Sequence, residues 1–222
     1  MSKPKIVAIV GSMRKDSYNR QLARLAKEAV GDRAEFELLE YADVPLMNED
    51  IEYPTPESVQ RVRQAVASAD GVWFFTPEYN HFFPGVLKNL IDWLSRPMEK
   101  GGSQVLAKKP AAISGISPGM SGTAIAQDHL VTLISILNMK VMNWPRLTIP
   151  NGWQQLDEEK KLKLASSAIH LQKQADAFVQ FLQTLIGNRN KLLKKFNHYA
   201  GSIIILDEVQ TVALKQLPLV GA

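Results

Sequence analysis

An apolar run at residues 6–10, Ile-Val-Ala-Ile-Val, breaks into Gly11-Ser12-Met13-Arg14-Lys15-Asp16-Ser17-Tyr18-Asn19. Beyond it Leu22, Leu25, Ala26, Ala29 and Val30 recur at helical spacing. The polar stretch is therefore a loop between the carboxyl end of a strand and the amino end of a helix. There the first helical N–H groups lack partners and the helix dipole favours an anion. Ser12, Ser17 and Asn19 add short donors, and Arg14 adds a planar cationic fork suited to phosphate oxygens. The plainer reading is a polar turn with Ser17 or Asn19 as the helix cap. Two better-known phosphate loops fail on spacing: no Gly-x-x-x-x-Gly-Lys-Ser/Thr run occurs, and Gly11 lacks the two further glycines of a dinucleotide fingerprint. A loop of hydroxyls and one guanidinium suits a terminal phosphate monoester, which points to a mononucleotide.

The pattern then alternates. Residues 35–39 read as a second strand, 43–56 as a long loop containing Pro45, Pro54 and Pro56, and 58–69 as a helix with Val59, Val62, Ala65, Val66 and Ala69 on one face. Gly71-Val72-Trp73-Phe74-Phe75 is apolar throughout, as a parallel strand covered on both faces requires. It runs into Thr76-Pro77-Glu78-Tyr79-Asn80-His81, and Pro84-Gly85 opens a helix over 86–94. Residues 111–115 form a fourth strand ending in a small-residue loop from Ser114 to Gly122. The spacing predicts a helix over 123–138, a fifth strand over 139–142, and a long final helix over 157–186 stopped by Gly187. Alternating strands and helices indicate a doubly wound α/β sheet, in which ligands bind outside the carboxyl ends of the strands. All three unusual loops fall on that edge.

Composition narrows the function classes. The chain has 222 residues, 26 basic against 22 acidic, and no cysteine. One principal domain is expected. A net charge of +4, most of it near the carboxyl end with the body nearly neutral, is too small to indicate nucleic-acid binding. Thiol catalysis, disulfides and cysteine metal sites are excluded. His81, His129, His170 and His198 show no metal-ligand spacing, so no metal is expected. No apolar run matches a signal peptide or a membrane span, and a cytoplasmic protein without membrane contact is expected.

These residues resemble the flavodoxin-like NAD(P)H-dependent FMN reductases, a family that includes quinone, azo-compound and chromate reductases. The resemblance rests on Gly11-Ser12-x-Arg14-x-x-Ser17-x-Asn19, on Thr76-Pro77-Glu78-Tyr79-Asn80 followed by Pro84-Gly85-x-Leu87-Lys88-Asn89-x-Ile91-Asp92-Trp93, and on the loop from Ser114 to Gly122. It implies a three-layer sandwich around a five-stranded parallel sheet in the order 2-1-3-4-5, with FMN as cofactor and NAD(P)H as reducing co-substrate. The acceptor would be a small molecule such as a quinone or free flavin, and the assembly a homodimer or homotetramer. By the same resemblance Gly11, Ser12, Arg14, Ser17 and Asn19 hold the FMN phosphate. Pro77, Glu78, Tyr79 and Asn80 present backbone groups to the flavin's pyrimidine edge, and Ser114, Gly115 and Ser117 complete the site.

Hydride transfer through a flavin is a positioning task, so no catalytic side chain is expected. Glu78 has the chemistry of a general base, but its backbone is the expected contributor. Trp93 is open to two readings, a core aromatic or, by the resemblance, a dimer contact. Asp128 and Val131 stand where some relatives carry charged or aromatic residues on the helix after the third loop.

The expected division is a flavodoxin-like domain at 1–187 and a carboxyl-terminal appendage at 188–222. The appendage contains Ile203-Ile204-Ile205-Leu206-Asp207-Glu208-Val209-Gln210, similar to an Asp-Glu-x-Gln ATPase motif. There is no Walker loop for it to serve. An added strand or a fused fragment is the simpler explanation.

Overall fold

The computed structural model describes residues 3–99 and 102–215, with side chains described as far as residue 193. Six strands form one sheet: β1 (Lys5–Val10), β2 (Glu35–Leu38), β3 (Gly71–Phe75), β4 (Pro110–Ile116), β5 (Lys140–Val141) and β6 (Leu147–Ile149). Five helices accompany them: α1 (Tyr18–Val30), α2 (Glu57–Ser68), α3 (Gly85–Leu94), α4 (Ala124–Ile136) and α5 (Ala168–Lys215). The strand order is β2-β1-β3-β4-β5, with every pairing parallel.

Side chains on successive strand residues point to opposite faces, and both faces here are apolar. Ile6, Ala8, Val10, Trp73 and Phe75 pack with Leu22, Ala26 and Val30 of α1 and with Ala175, Phe178 and Leu182 of α5. Val7, Ile9, Val72, Phe74 and Ile113 pack with Val62 and Val66 of α2, Leu87 and Ile91 of α3, and Leu130 and Ile134 of α4. The three-layer sandwich follows from these two alternating sets.

Two elements depart from the sequence reading. The fifth strand, expected over 139–142, is only Lys140–Val141, pairing with Pro110 and Ala111, and after an interruption a sixth strand that the sequence reading did not anticipate, Leu147–Ile149, pairs with Ser114, Gly115 and Ile116. Pro145, which has no N–H to give a ladder, lies in the interruption. The final helix begins at Ala168, not at 157, and runs through Gly187 to Lys215. Gly187 therefore does not terminate it, and the backbone of the Ile203-Ile204-Ile205-Leu206 run is helical.

The chain separates into two compact units, residues 1–182 and 183–222. The first holds the sheet and the buried residues named above. The second contains the distal part of α5. Among the described residues no helix is long and apolar enough to cross a membrane.

Trp93 has no exposed surface, and its Nε1 donates to Pro45 O at 2.9 Å. It is a core residue that pins the loop after β2, not a contact for a second chain. Asn89, one turn earlier, grips the same loop: its Oδ1 accepts from Met47 N–H at 2.7 Å and its Nδ2 donates to Pro45 O at 2.9 Å. Asp128 on α4 pairs with Arg146 at 2.7 Å.

Candidate functional site

The loops after β1, β3 and β4 meet at the carboxyl edge of the sheet. Gly11 N–H still donates to Phe75 O at 2.8 Å, so the first loop leaves β1 in register with the end of β3. Ser17 is the N-cap of α1, its Oγ accepting from Arg20 N–H at 3.4 Å. The cap satisfies the third helical N–H and leaves those of Tyr18 and Asn19 without an acceptor inside the helix. Ser12 is buried and accepts from Arg14 N–H at 3.4 Å. Arg14 reaches back to Asp16 O at 2.6 Å and lies 5.1 Å from the centre of the Tyr18 ring. Ser12 and Ser17 each accept one N–H, and no acceptor for either hydroxyl hydrogen is present among the described residues.

Asn19 behaves differently from the other loop residues. Its side chain is buried, donating to Ile116 O at 2.9 Å and accepting from Ile116 N–H at 3.1 Å. The carboxamide joins the start of α1 to the end of β4, and among the described residues the backbone N–H of Asn19 has no acceptor.

The second loop is a two-residue hairpin turn. Tyr79 and Phe82 exchange N–H···O bonds of 2.9 and 3.0 Å, with Asn80 and His81 between them at φ 53° and 61°. Both central residues are left-handed, as a twist-matched tight turn demands, and Asn tolerates that conformation well. The exchange occupies Tyr79 N–H. Among the described residues no acceptor meets Glu78 N–H or Asn80 N–H, so both remain available as donors, while the Pro77 carbonyl already accepts from Thr76 Oγ1 at 2.8 Å.

The Glu78 carboxylate is a clamp. It accepts from Ser121 Oγ at 2.5 Å and from Ala126 N–H in the first turn of α4 at 3.0 Å, and His81 Nδ1 lies 3.4 Å away. Burial pushes its pKa up, but the bonds from Ser121 and Ala126 and the neighbouring His81 outweigh that and hold it below the usual carboxylate range. A carboxylate so held is a poor proton acceptor, which agrees with the expectation that its role is not that of a base.

The third loop folds on residues 149–152. Ser117 N–H donates to Ile149 O at 3.2 Å, Gly152 N–H donates to Ser117 O at 2.9 Å, and Ser117 Oγ accepts from Gly119 N–H at 3.2 Å. Gly122, at φ 60°, passes so close to Pro150 that a Cβ there would lie 2.6 Å from Pro150 N. Ser114 and Gly115 are turned to packing. Ser114 is fully buried, its hydroxyl accepting from Trp73 Nε1 at 2.8 Å and donating to Gln174 Oε1 at 2.6 Å. A Cβ on Gly115 would stand 2.3 Å from Thr76 O and 2.2 Å from Thr123 Oγ1. The structure thus brings Ser12, Arg14, Ser17, Glu78, Asn80 and Ser117 to the edge as candidate contacts and makes Ser114 and Gly115 supports. Sequence reading missed the roles of Ser121 and Gln174, whose partners Glu78 and Ser114 are remote in the chain and announce themselves by no local pattern.

Comparison with known proteins gives this edge its context. Residues 4–154 match the family described as NADPH-dependent FMN reductase. The chain belongs to that family. A 2-hydroxy-1,4-benzoquinone reductase from a Burkholderia species is 36% identical over 179 residues, covering 81% of this chain and 96% of its own. An NAD(P)H-dependent FMN reductase of Pseudomonas aeruginosa is 37% identical over 184 residues, covering 82% and 97%. Among solved structures, the flavoenzyme NAD(P)H:(acceptor) oxidoreductase FerB of Paracoccus denitrificans superposes with a TM-score of 0.74 at 35% identity, covering 82% of this chain and 98% of its own. In an FMN reductase fold the switch of strand order lies between β1 and β3, and the first two loops described above leave the sheet there.

Proposed function

We propose that the chain binds FMN at this edge and passes electrons from NAD(P)H to a small-molecule acceptor, a quinone or free flavin. The observation that carries the reading is the opening of α1. Two unpartnered N–H groups, two buried serine hydroxyls with uncommitted hydrogens and one guanidinium converge in a single short loop, a donor set that fits a phosphate dianion. FMN held there would supply the two-electron chemistry that links a nicotinamide to the acceptor.

The chain's own residues bind and orient. Ser12, Arg14, Ser17 and the first turn of α1 would hold the phosphate, and the N–H groups of Glu78 and Asn80 would donate to the flavin ring. The two-residue turn and the Glu78 clamp fix that second loop, so its donors are aimed before a ligand arrives, which is where preorganisation contributes. The quinone acceptor is suggested by relatives named for quinone reduction. A homodimer or homotetramer and a cytoplasmic location complete the proposal on the strength of the family resemblance.

The test is spectroscopic. The purified protein should be yellow, and anaerobic NADPH or NADH should bleach it. A flavin spectrum unchanged by reduced nicotinamide would instead assign the chain to electron carriage or to flavin binding without catalysis. Steady-state plots at several acceptor concentrations should be parallel, since donor and acceptor would take turns at one open face; intersecting lines would rule out the shared face.

A further inference from the structure

Arg63 lies in the middle of α2, away from all three loops, with 1% of its surface exposed. Its Nε donates to Trp93 O at 3.1 Å, its Nη1 makes a long contact of 3.4 Å with Thr55 Oγ1, and its Nη2 has no acceptor. Trp93 also covers it, the guanidinium lying 5.8 Å from the ring centre. A buried cationic N–H group without an acceptor costs more than a neutral one, and Arg does not escape by losing its proton. Burial weighs against its charge, and Glu52, which no hydrogen bond joins to it, offsets this only in part. The buried Glu52 carboxylate is taken by both arms of Arg96, at 3.1 and 3.0 Å, and Glu49, 3.7 Å from Arg96, has a side chain 78% exposed and screened. Two guanidinium groups share one buried carboxylate.

Arg63 forms part of the wall of a cavity of about 270 Å³, together with Tyr53, Thr55, Gln60, Gln64 and Met98. That space exceeds what one bridging water needs and approaches the lower size of small-ligand sites. Thr55 donates its hydroxyl hydrogen to Glu52 O and Tyr53 donates its own to Pro97 O, so neither turns a donor on the cavity. Gln60 Nε2 holds Thr55 O with one hydrogen and keeps a second, and Gln64 stands exposed on the same helix. The donors left to meet a ligand are thus Arg63 and two amides.

We propose that this cavity binds a compact oxyanion, a carboxylate or a phosphate group, whose charge is met by Arg63 with the amides of Gln60 and Gln64 around it. The proposal is independent of the flavin reading, and its site is distinct from the loop that would hold the FMN phosphate. The missing acceptor of Nη2 and the excess of positive charge are both supplied by one small anion, which a neutral ligand would leave unanswered.

The experiment uses full-length protein with FMN in excess, so that the first loop is already filled. Acetate and inorganic phosphate are titrated separately by calorimetry, with ionic strength held by chloride. One-site saturable binding of either probe is expected, and the probe bound more tightly tells carboxylate from phosphate. Gln64→Glu, an exposed change that brings a carboxylate to the mouth, should weaken binding at least tenfold. Arg63→Gln should abolish it, and Arg14→Ala should leave it intact. The absence of saturable binding for both probes, an unchanged affinity in Gln64→Glu, or loss of binding in Arg14→Ala would each overturn the proposal. The flavin absorbance of every sample reports on the cofactor separately.

Discussion

The Asn19 carboxamide grips both polar groups of the Ile116 peptide, at 2.9 and 3.1 Å, across 97 positions of sequence. One side chain thereby sets the distance between the loop after β1 and the loop after β4. Asn19→Ala removes two buried hydrogen bonds and strands a buried N–H and C=O, so it should cost about 2–4 kcal/mol of stability. Urea unfolding of wild type and variant gives the number. A loss under about 0.5 kcal/mol, the level of an ordinary surface change, would show that the link does not matter.

Arg14→Ala should weaken FMN binding and leave riboflavin binding unchanged, because only the former has a phosphate for the guanidinium. Charge-assisted hydrogen bonds contribute about 1.5–3 kcal/mol each, so losing one or two corresponds to roughly ten- to several-thousand-fold in affinity. Fluorescence titration of both flavins against both proteins checks it; equal FMN affinity would refute the phosphate-loop assignment.

Glu78 carries a pH signature. Its folded pKa lies below the ordinary carboxylate value, so the folded state favours the ionised form and the clamp contributes its full stability above that ordinary value. As pH falls from there through the lower folded pKa, the contribution is lost. Thermal melts across the acid range should therefore show a steeper loss of stability for wild type than for Glu78→Gln. Parallel curves would mean that the carboxylate does not titrate with folding.

Gly115→Ala would force a methyl group to within 2.3 Å of the Thr76 carbonyl, which is backbone and cannot rotate away. Overpacking of this kind costs about 1–3 kcal/mol or more, and here it would part β4 from the Thr76-Pro77 turn. Lower stability together with weaker FMN binding is expected from denaturation and titration on the same variant; an unaffected variant would show that the contact relaxes freely.

Deletion of residues 188–222 should preserve flavin content and NAD(P)H oxidation. Phe178, Val179 and Leu182, the last buried α5 residues among those whose side chains are described, remain in the shortened chain. Comparing flavin occupancy, turnover and light-scattering mass of the two proteins decides it, and loss of flavin on truncation would tie the tail to the site.

The sheet and the first loop were legible because their signals are local. Residues 6–10, 71–75 and 111–115 are apolar runs between turn residues, and Ser17 precedes a periodic helix by one position. The supports were not. Ser114 reads as a small polar residue in a loop, yet its partners Trp73 and Gln174 are 41 and 60 positions away. Glu78 reads as a loop carboxylate, and Ser121, 43 positions on, gives it its role. Pairings at such separations are decided by the packed sheet, and no periodicity in one sequence records them. The final helix was misread for the opposite reason: Gly187 is a local stop signal, and the structure runs through it.

The Glu78 clamp also gives the binding edge a polarity. Ala126 N–H, in the opening turn of α4, already has a carboxylate in place, so the attraction of that helix start for negative charge is internally neutralised. The opening turn of α1 carries no such counterion, and Arg14 stands beside it. A ligand with a single anionic end therefore has one electrostatically open berth and one closed. Which way round it lies is decided by an acidic side chain that it need never touch.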